Sequence, residues 1–260
     1  MAFQTAIFYL REFFFPLGCG GCGEALFTQK DAYFGLCENC RAHVLSALNQ
    51  EKRCDFCGKP LISEKDSCLS CRQNGAPETG IFNKQFIKLK TLFPYTGNFR
   101  QILGAYKFGK SLGVGNFLAS CLNQTIQDFC LSEGLNSDYE PPGIVPVPPR
   151  PGKIKKQGWD QIEYLVKIFS RCQKTPEKQK TAFFSVHRCL KRLPSRTQKE
   201  LNRKERETNL KGRIICIKSP PKTAILFDDV ITTGATMNAC ASALLEGGAE
   251  KVYGICLFYD

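Results

Sequence analysis

The sequence predicts a parallel α/β domain preceded by a small cysteine-rich module. Three observations predict it. Eight of the 15 cysteines fall before residue 72, as four Cys-x-x-Cys pairs. The stretch that carries them, residues 19–71, has little apolar periodicity, so it cannot fold on a hydrophobic core alone. Near the other end, Thr223–Phe227 and Val252–Phe258 are uninterrupted apolar, β-rich runs with a helical segment, Thr236–Glu246, between them. Strand, helix, strand in that order is a βαβ unit, and runs without alternation suit strands buried on both faces.

The chain has 260 residues, room for one ordinary domain and a small one. The boundaries predicted are 1–80 for the cysteine-rich part and 81–260 for the rest. A Gly/Pro/polar stretch, Gln73–Gly80, reads as the linker. Met1–Pro16 is apolar and aromatic, interrupted by Arg11 and Glu12 and without a basic leader region; it reads as an amphipathic helix, not a signal peptide. No apolar run is long enough to span a membrane. A secreted disulfide framework would not leave seven more cysteines scattered through the larger part. A reducing, cytoplasmic location is therefore expected.

Between linker and C-terminus the pattern continues. Phe86–Phe93 suggests a pair of short strands, Phe99–Phe108 and Val114–Leu131 two helices, and Ile144–Pro148 a short buried strand. Gln161–Cys172 has helical spacing. Residues 188–212 are charged with few apolar anchors and read as a mobile flap. Ile214–Ile217 reads as a further buried, parallel strand.

The net charge is +12, unevenly placed. Residues 1–80 carry 8 Lys/Arg against 9 Asp/Glu, whereas residues 153–222 carry 20 against 6. That segment implies an anionic partner, either a polyphosphate or nucleic acid.

The cysteine pairs are Cys19/Cys22, Cys37/Cys40, Cys54/Cys57 and Cys68/Cys71. Zinc takes four thiolates in a tetrahedron, and a Cys-x-x-Cys knuckle supplies two from one tight turn. Two closed, structural Zn²⁺ sites follow. The simplest pairing joins 19/22 with 37/40 and 54/57 with 68/71, across loops of 14 and 10 residues; an interleaved pairing remains open. Two such sites would bring the net charge to about +8. His43 and His187 are the only histidines and read as structural or solvated.

The sharpest motif runs from Thr223 to Thr236. A buried strand leads into Asp228-Asp229, then Val230-Ile231-Thr232-Thr233-Gly234-Ala235-Thr236, then a helix. Loop amides, threonine hydroxyls and the positive end of the helix dipole can surround a phosphate. Acids at a strand's carboxyl end can accept hydrogen bonds from vicinal hydroxyls, where α/β sheets bind ligands. The pattern is that of a ribose-phosphate cradle. Trp159 and Tyr106 are candidates to stack on a base, although a packed aromatic is the more ordinary reading of each.

This motif resembles the phosphoribosyl-pyrophosphate (PRPP) loop of type I phosphoribosyltransferases. The order of the remaining motifs resembles the ComF family, competence-associated proteins similar also to the GntX type. Those motifs are the cysteine pairs, Tyr95-x-Gly97-x-x-Arg100-x-x-Leu103-x-x-x-Lys107-Phe108, Val145-Pro146-Val147-Pro148, Gly158-Trp159-Asp160-Gln161, and Arg196-x-Gln198-x-x-Leu201-x-Arg203-x-x-Arg206-x-x-Asn209. The chain departs from the family in two places. Gln157-Gly158-Trp159-Asp160-Gln161 stands for the usual Arg-Gly-Phe-Asn-Gln, and Pro148-Pro149-Arg150 for Pro-Leu-His.

The resemblance implies a type I phosphoribosyltransferase-type parallel sheet behind a double zinc ribbon. Asp228 and Asp229 would hold the ribose hydroxyls and act at the reacting centre, residues 232–236 the 5′-phosphate, with Val230 and Ile231 also against PRPP, and Mg²⁺ would accompany PRPP. Lys156, Arg196, Gln198, Arg203 and Arg206 would contact pyrophosphate or another anion. It further implies single-stranded DNA as a partner in natural transformation, or phosphoribosyl transfer to an unknown acceptor. A DNA-uptake helicase is a possible partner for the zinc module. The acceptor-binding hood of the enzymes is not recognisable, and the zinc module is a candidate to occupy its place.

Overall fold

The computed structural model describes residues 17–50, 52–54, 61, 63–69, 72, 87–135, 141–172, 184–194 and 212–260. The N-terminal helix, the linker and most of the flap predicted above fall outside them.

The sheet is built from four parallel strands in the order β1-β6-β5-β2, with β1 Leu89–Pro94, β2 Gly143–Pro146, β5 Thr223–Ile231 and β6 Lys251–Tyr259. Alternation along β5 sorts its side chains between two cores. Ile225 and Phe227 face one, with Tyr253, Ile255 and Leu257 of β6; Ala224 and Leu226 face the other, with Val252 and Cys256. The first core is covered by α4 (Leu112–Ser132) and α6 (Gln161–Cys172), packed against each other. The second is covered by α7 (Ala235–Glu246), the expected crossover helix. With a helix on each face, every central strand is buried twice, which explains the unbroken apolar runs.

Two readings need correction. Phe86–Phe93 does not supply a pair of strands; among the described residues it gives one, β1, parallel to β6. Ile214–Ile217 does not join the parallel sheet. Its strand β4 (Ile214–Cys216) pairs antiparallel with β3 (Leu190–Arg192) in a separate two-stranded ribbon against α7. Ile215 and Ile217 are accordingly exposed. The flap thus begins and ends as a β-ribbon, and residues 195–211 between lie outside the described chain.

The cysteine-rich module packs on the α/β domain through α1 (Gln29–Phe34), α2 (Glu38–Gln50) and the first knuckle. Thr28 caps α1 by accepting a bond from the Asp31 amide at 3.0 Å, and Gly35 ends it at φ +61°. The αL turn lets the backbones meet: a Cβ on Gly35 would sit 2.6 Å from the Val114 nitrogen at the start of α4. Leu26, Leu36 and Val44 then join one core with Tyr106, Val114 and Phe117. Arg53 donates to the Leu92 carbonyl at 2.8 Å and to Thr91 Oγ1 at 3.1 Å, fastening the module to β1.

Candidate ligand cleft and metal centre

Cys19, Cys22, Cys37 and Cys40 bring all four Sγ atoms within 4.8 Å of one another. A tetrahedron with Zn–S near 2.3 Å has edges of about 3.8 Å, and Cys22 and Cys37 stand 3.7 Å apart. The donor set and spacing fit zinc. Burial alone would raise the Cys19 thiol, but the amides of Cys22, Cys37 and Gly21 more than offset it and bring it down to about 7. Burial pushes Cys40 up to about 12, against a bond from Asn98 Nδ2 at 3.7 Å. A shared metal would remove that proton. Of the second quartet, Cys54 and Cys68 are described and buried; Cys57 and Cys71 lie outside the described residues.

The second site forms where the sheet ends. β2 stops at Pro146, opposite Phe227, with Val147 N bonded to Phe227 O at 2.9 Å. Strand β5 runs on to Ile231 beside β6, so Asp228 and Asp229 lie beyond their shorter neighbour. A cleft of about 820 Å³ opens there, within the range of small-molecule sites. Asp228, Asp229, Val230, Thr232 and Thr236 line it. Gly234, at φ +72°, turns the chain into α7, which carries no acid in its first turn. Ile231 and Ala235 are buried behind the loop and can offer only backbone. Thr233 Oγ1 lies 3.5 Å from the Ala235 amide.

The two acids differ. Asp229 is buried, and its Oδ2 meets Lys107 Nζ at 3.0 Å and Gln161 Nε2 at 2.8 Å. Burial would raise its pKa, but those two partners hold it below the usual carboxylate range. Burial, and then the charge of Asp229, push Asp228 well above that range. Lys107 gains more from Asp229 than burial costs it, so its pKa is raised.

Lys107 and Gln161 belong to motifs read in the sequence without a role. They reach Asp229 because α3 (Gly97–Lys107) and α6 converge on it. Tyr106 Oη donates to the Gln161 carbonyl at 2.5 Å and is itself fully buried, so it cannot stack on a ligand. Trp159 is half-buried, edge-on to Tyr106, and lines the cleft. Asp160, in place of the family's asparagine, caps α6 by accepting from the amides of Ile162 at 2.9 Å and Glu163 at 3.1 Å. It also pairs with Lys153 Nζ at 2.6 Å, and Lys153 bonds the Gln161 side chain. The basic residue after the prolines thus neutralises the changed position.

Lys156 is exposed on α5 (Lys153–Gln157) at the cleft wall. Arg192 was missed. On β3 it alternates with Lys191, so Leu190 and Arg192 both point inward. It is 7 % exposed, lines the cleft, and its Nε and Nη2 have no hydrogen-bond partner among the described residues. Burial and neighbouring Arg150 lower its pKa. A buried guanidinium without a partner costs free energy that an anion would recover. Arg196, Gln198, Arg203 and Arg206 lie outside the described residues. No described residue of the cysteine-rich module lines the cleft, so among them that module does not take the place of a hood. A smaller hollow of about 500 Å³ along α6, beside the Arg188–Glu163 ion pair, gathers no comparable set of groups.

Comparison with known proteins bears on the metal centre. Residues 10–72 match the family described as the double zinc ribbon domain. Competence protein F of Haemophilus influenzae is 25 % identical over 92 % of this chain and 95 % of its own length. The zinc-ribbon match and relatives of this kind support a ComF-family protein. The DNA utilization protein YhgH of Escherichia coli is 25 % identical over 86 % of this chain and 90 % of its own. A ribose-phosphate pyrophosphokinase of Oceanobacillus iheyensis is 54 % identical over 35 residues, 14 % of this chain and 11 % of its own length. With the Cys19/Cys22/Cys37/Cys40 cluster, the zinc-ribbon match supports zinc binding by this chain. No helix among the described residues is long and apolar enough to cross a membrane.

Proposed function

We propose that the cleft binds PRPP or a related phosphoribosyl ligand, and that the protein works in competence and DNA uptake. One observation carries the first part. An acid pair, a glycine-turned loop and the start of a 12-residue helix meet at the carboxyl end of β5, in a cleft edged by lysine and arginine. Anionic oxygens gain there from amides and helix dipole together. A 35-residue likeness to a protein named ribose-phosphate pyrophosphokinase agrees with a ligand of that chemical class. Arg192, Arg150 and Lys156 suit a second anionic group, such as pyrophosphate. The relatives named for competence and for DNA utilization support the role in DNA uptake; we propose single-stranded DNA as the partner and the cytoplasm as the location. The basic segment 153–222 is its counterpart in charge.

Asp228 is the acid available to ribose hydroxyls, because Asp229 is committed to Lys107 and Gln161. The pair is therefore poorly suited to chelate Mg²⁺ directly, and any Mg²⁺ would arrive on the ligand's phosphates. Phosphoribosyl transfer is the second reading: PRPP bound here would present C1 to whatever acceptor the cleft admits. We further propose that residues 1–80 carry two structural zinc ions and form a docking surface for a protein such as a DNA-uptake helicase, while residues 81–260 hold the ligand.

Calorimetric titration of PRPP with Mg²⁺ into the zinc-replete protein tests the site, beside Asp228→Asn and Asp228→Ala/Asp229→Ala. Binding lost in both variants is expected. Binding retained in both sinks the site assignment, and no binding by the unmodified protein sinks the ligand.

A further inference from the structure

Phe108 follows Lys107 at the C-terminal end of α3 and is 76 % exposed, the most exposed large apolar side chain among those described. Single apolar residues on a surface need no explanation. This one has an unusual setting. It lines the same cleft as Asp228 and Thr232, and the walls around it carry Lys110, Arg150 and Lys156.

The turn that presents the ring is fixed. Lys110 holds φ +52°, the one positive value of a non-glycine residue among those described. A Cβ on Gly109 would come within 2.7 Å of the Ala105 carbonyl. Lys110 Nζ donates to the Gln157 carbonyl at 3.0 Å, tying the turn to the end of α5. An apolar ring held in water beside Lys110, Arg150 and Lys156 and a ribose-phosphate cradle has the makings of a stacking platform. Cations take the backbone and an aromatic face takes the base.

We propose that Phe108 is a nucleobase-stacking residue, and that the ligand of this cleft is a nucleotide unit whose base rests on that ring. The proposal partly rests on the phosphoribosyl reading, since the cradle would hold the sugar-phosphate of the same unit. It replaces Tyr106, which is buried, with its exposed near-neighbour. A free nucleotide and one residue of a DNA strand share this chemistry.

The test uses the full zinc-replete chain and four probes: ribose 5-phosphate, thymidine 5′-monophosphate, a short oligothymidylate and an abasic strand of equal length. Binding is followed by calorimetry and by the fluorescence of Trp159, the single tryptophan, which lines the cleft. Phe108→Ala should weaken probes that carry a base by about tenfold, as loss of one stacked base does. It should leave ribose 5-phosphate and the abasic strand unchanged, and Phe108→Tyr should restore the base-carrying probes. Equal loss on probes with and without a base overturns the proposal, as does no loss on either base-carrying probe or no binding of them by the unmodified protein. A loss confined to the strand assigns the site to single-stranded nucleic acid, and a loss on the mononucleotide assigns it to a free nucleotide. Failure of ribose 5-phosphate alone to bind sinks the cradle and leaves the stacking result standing.

Discussion

The metal centre and the cleft are assembled in opposite ways. Four thiols separated by at most 21 positions make the described metal site, and their two knuckles set its shape locally. The cleft draws Lys107, Gln161, Arg192 and Asp228 from four elements, and each is placed by packing that the other elements provide. The first is held by its ion and the second by buried charge. The two should therefore fail to different treatments.

The largest effect is expected at the metal. Structural zinc contributes its binding energy to folding. Cys40→Ser should lose one zinc per chain and several kcal/mol, lowering Tm by roughly 10 °C or more. Because Leu36 and Val44 share a core with Tyr106 and Phe117, the loss should reach the α/β domain instead of stopping at the module. Zinc analysis with calorimetric unfolding checks this. An unchanged main transition would show that the shared core carries no stability.

Lys107 comes next. Its side chain is 31 % exposed, that of Asp229 8 %. Lys107→Met strands a buried carboxylate, which costs about 3 kcal/mol, reduced from the fully buried case by the lysine's access to water. Adding Asp229→Asn should recover most of that loss, because the charge left unpaired is gone. Urea unfolding of both single variants and the double gives the coupling directly. An uncoupled pair would return Asp229 to the role of ligand contact.

How far each region was legible in the sequence follows from its construction. The Cys-x-x-Cys spacing announced the metal site because its chemistry is local. The run Thr223–Phe227 announced the strand and the acid pair after it for the same reason, although the strand itself continues through the acids to Ile231. Lys107 and Gln161 were visible as motif members, but nothing local says that α3 and α6 converge on Asp229. Arg192 was hidden further still: it reads as one more charge in a polar stretch until β4 pairs with β3 and turns it inward. The same pairing explains why Ile214–Ile217 misled. An apolar run of four suits an antiparallel ribbon as well as a buried parallel strand.

Asp228 should show a smaller, pH-dependent effect. Its folded pKa lies above the unfolded value, so the folded state holds the extra proton between the two values. Stability from this group is full below about pH 4, the unfolded pKa, and falls as pH rises towards the folded one. Asp228→Asn removes the penalty. The variant should be more stable than the unmodified protein at pH 7, by about 1 kcal/mol or more, and equal to it near pH 3. Thermal unfolding across that range is the measurement, and a gain that persists at pH 3 would locate the cost in shape and not charge. Gained stability with lost binding would mark the acid as kept for its ligand.

The smallest effect separates two ways of protecting a thiol. Burial pushes Cys121, Cys130 and Cys189 up to about 12 and raises Cys240 and Cys256 well above the usual thiol range. At pH 8 a thiol with a pKa near 12 is thiolate in about one molecule in ten thousand. Cys216 is only half-buried, on the β-ribbon. In the zinc-replete protein a thiol reagent should therefore reach Cys216 well before those five, whose modification waits for the fold to open. A chelator should quickly expose the Cys19/Cys22/Cys37/Cys40 set, which the metal guards. PRPP should slow the five core thiols, because a ligand bound only to the folded state lowers the open population. Peptide mapping of the modified cysteines over time reads both classes at once. Core thiols that react as fast as Cys216, with or without PRPP, would show that the sheet opens locally and that the cleft is less rigid than its charge network requires.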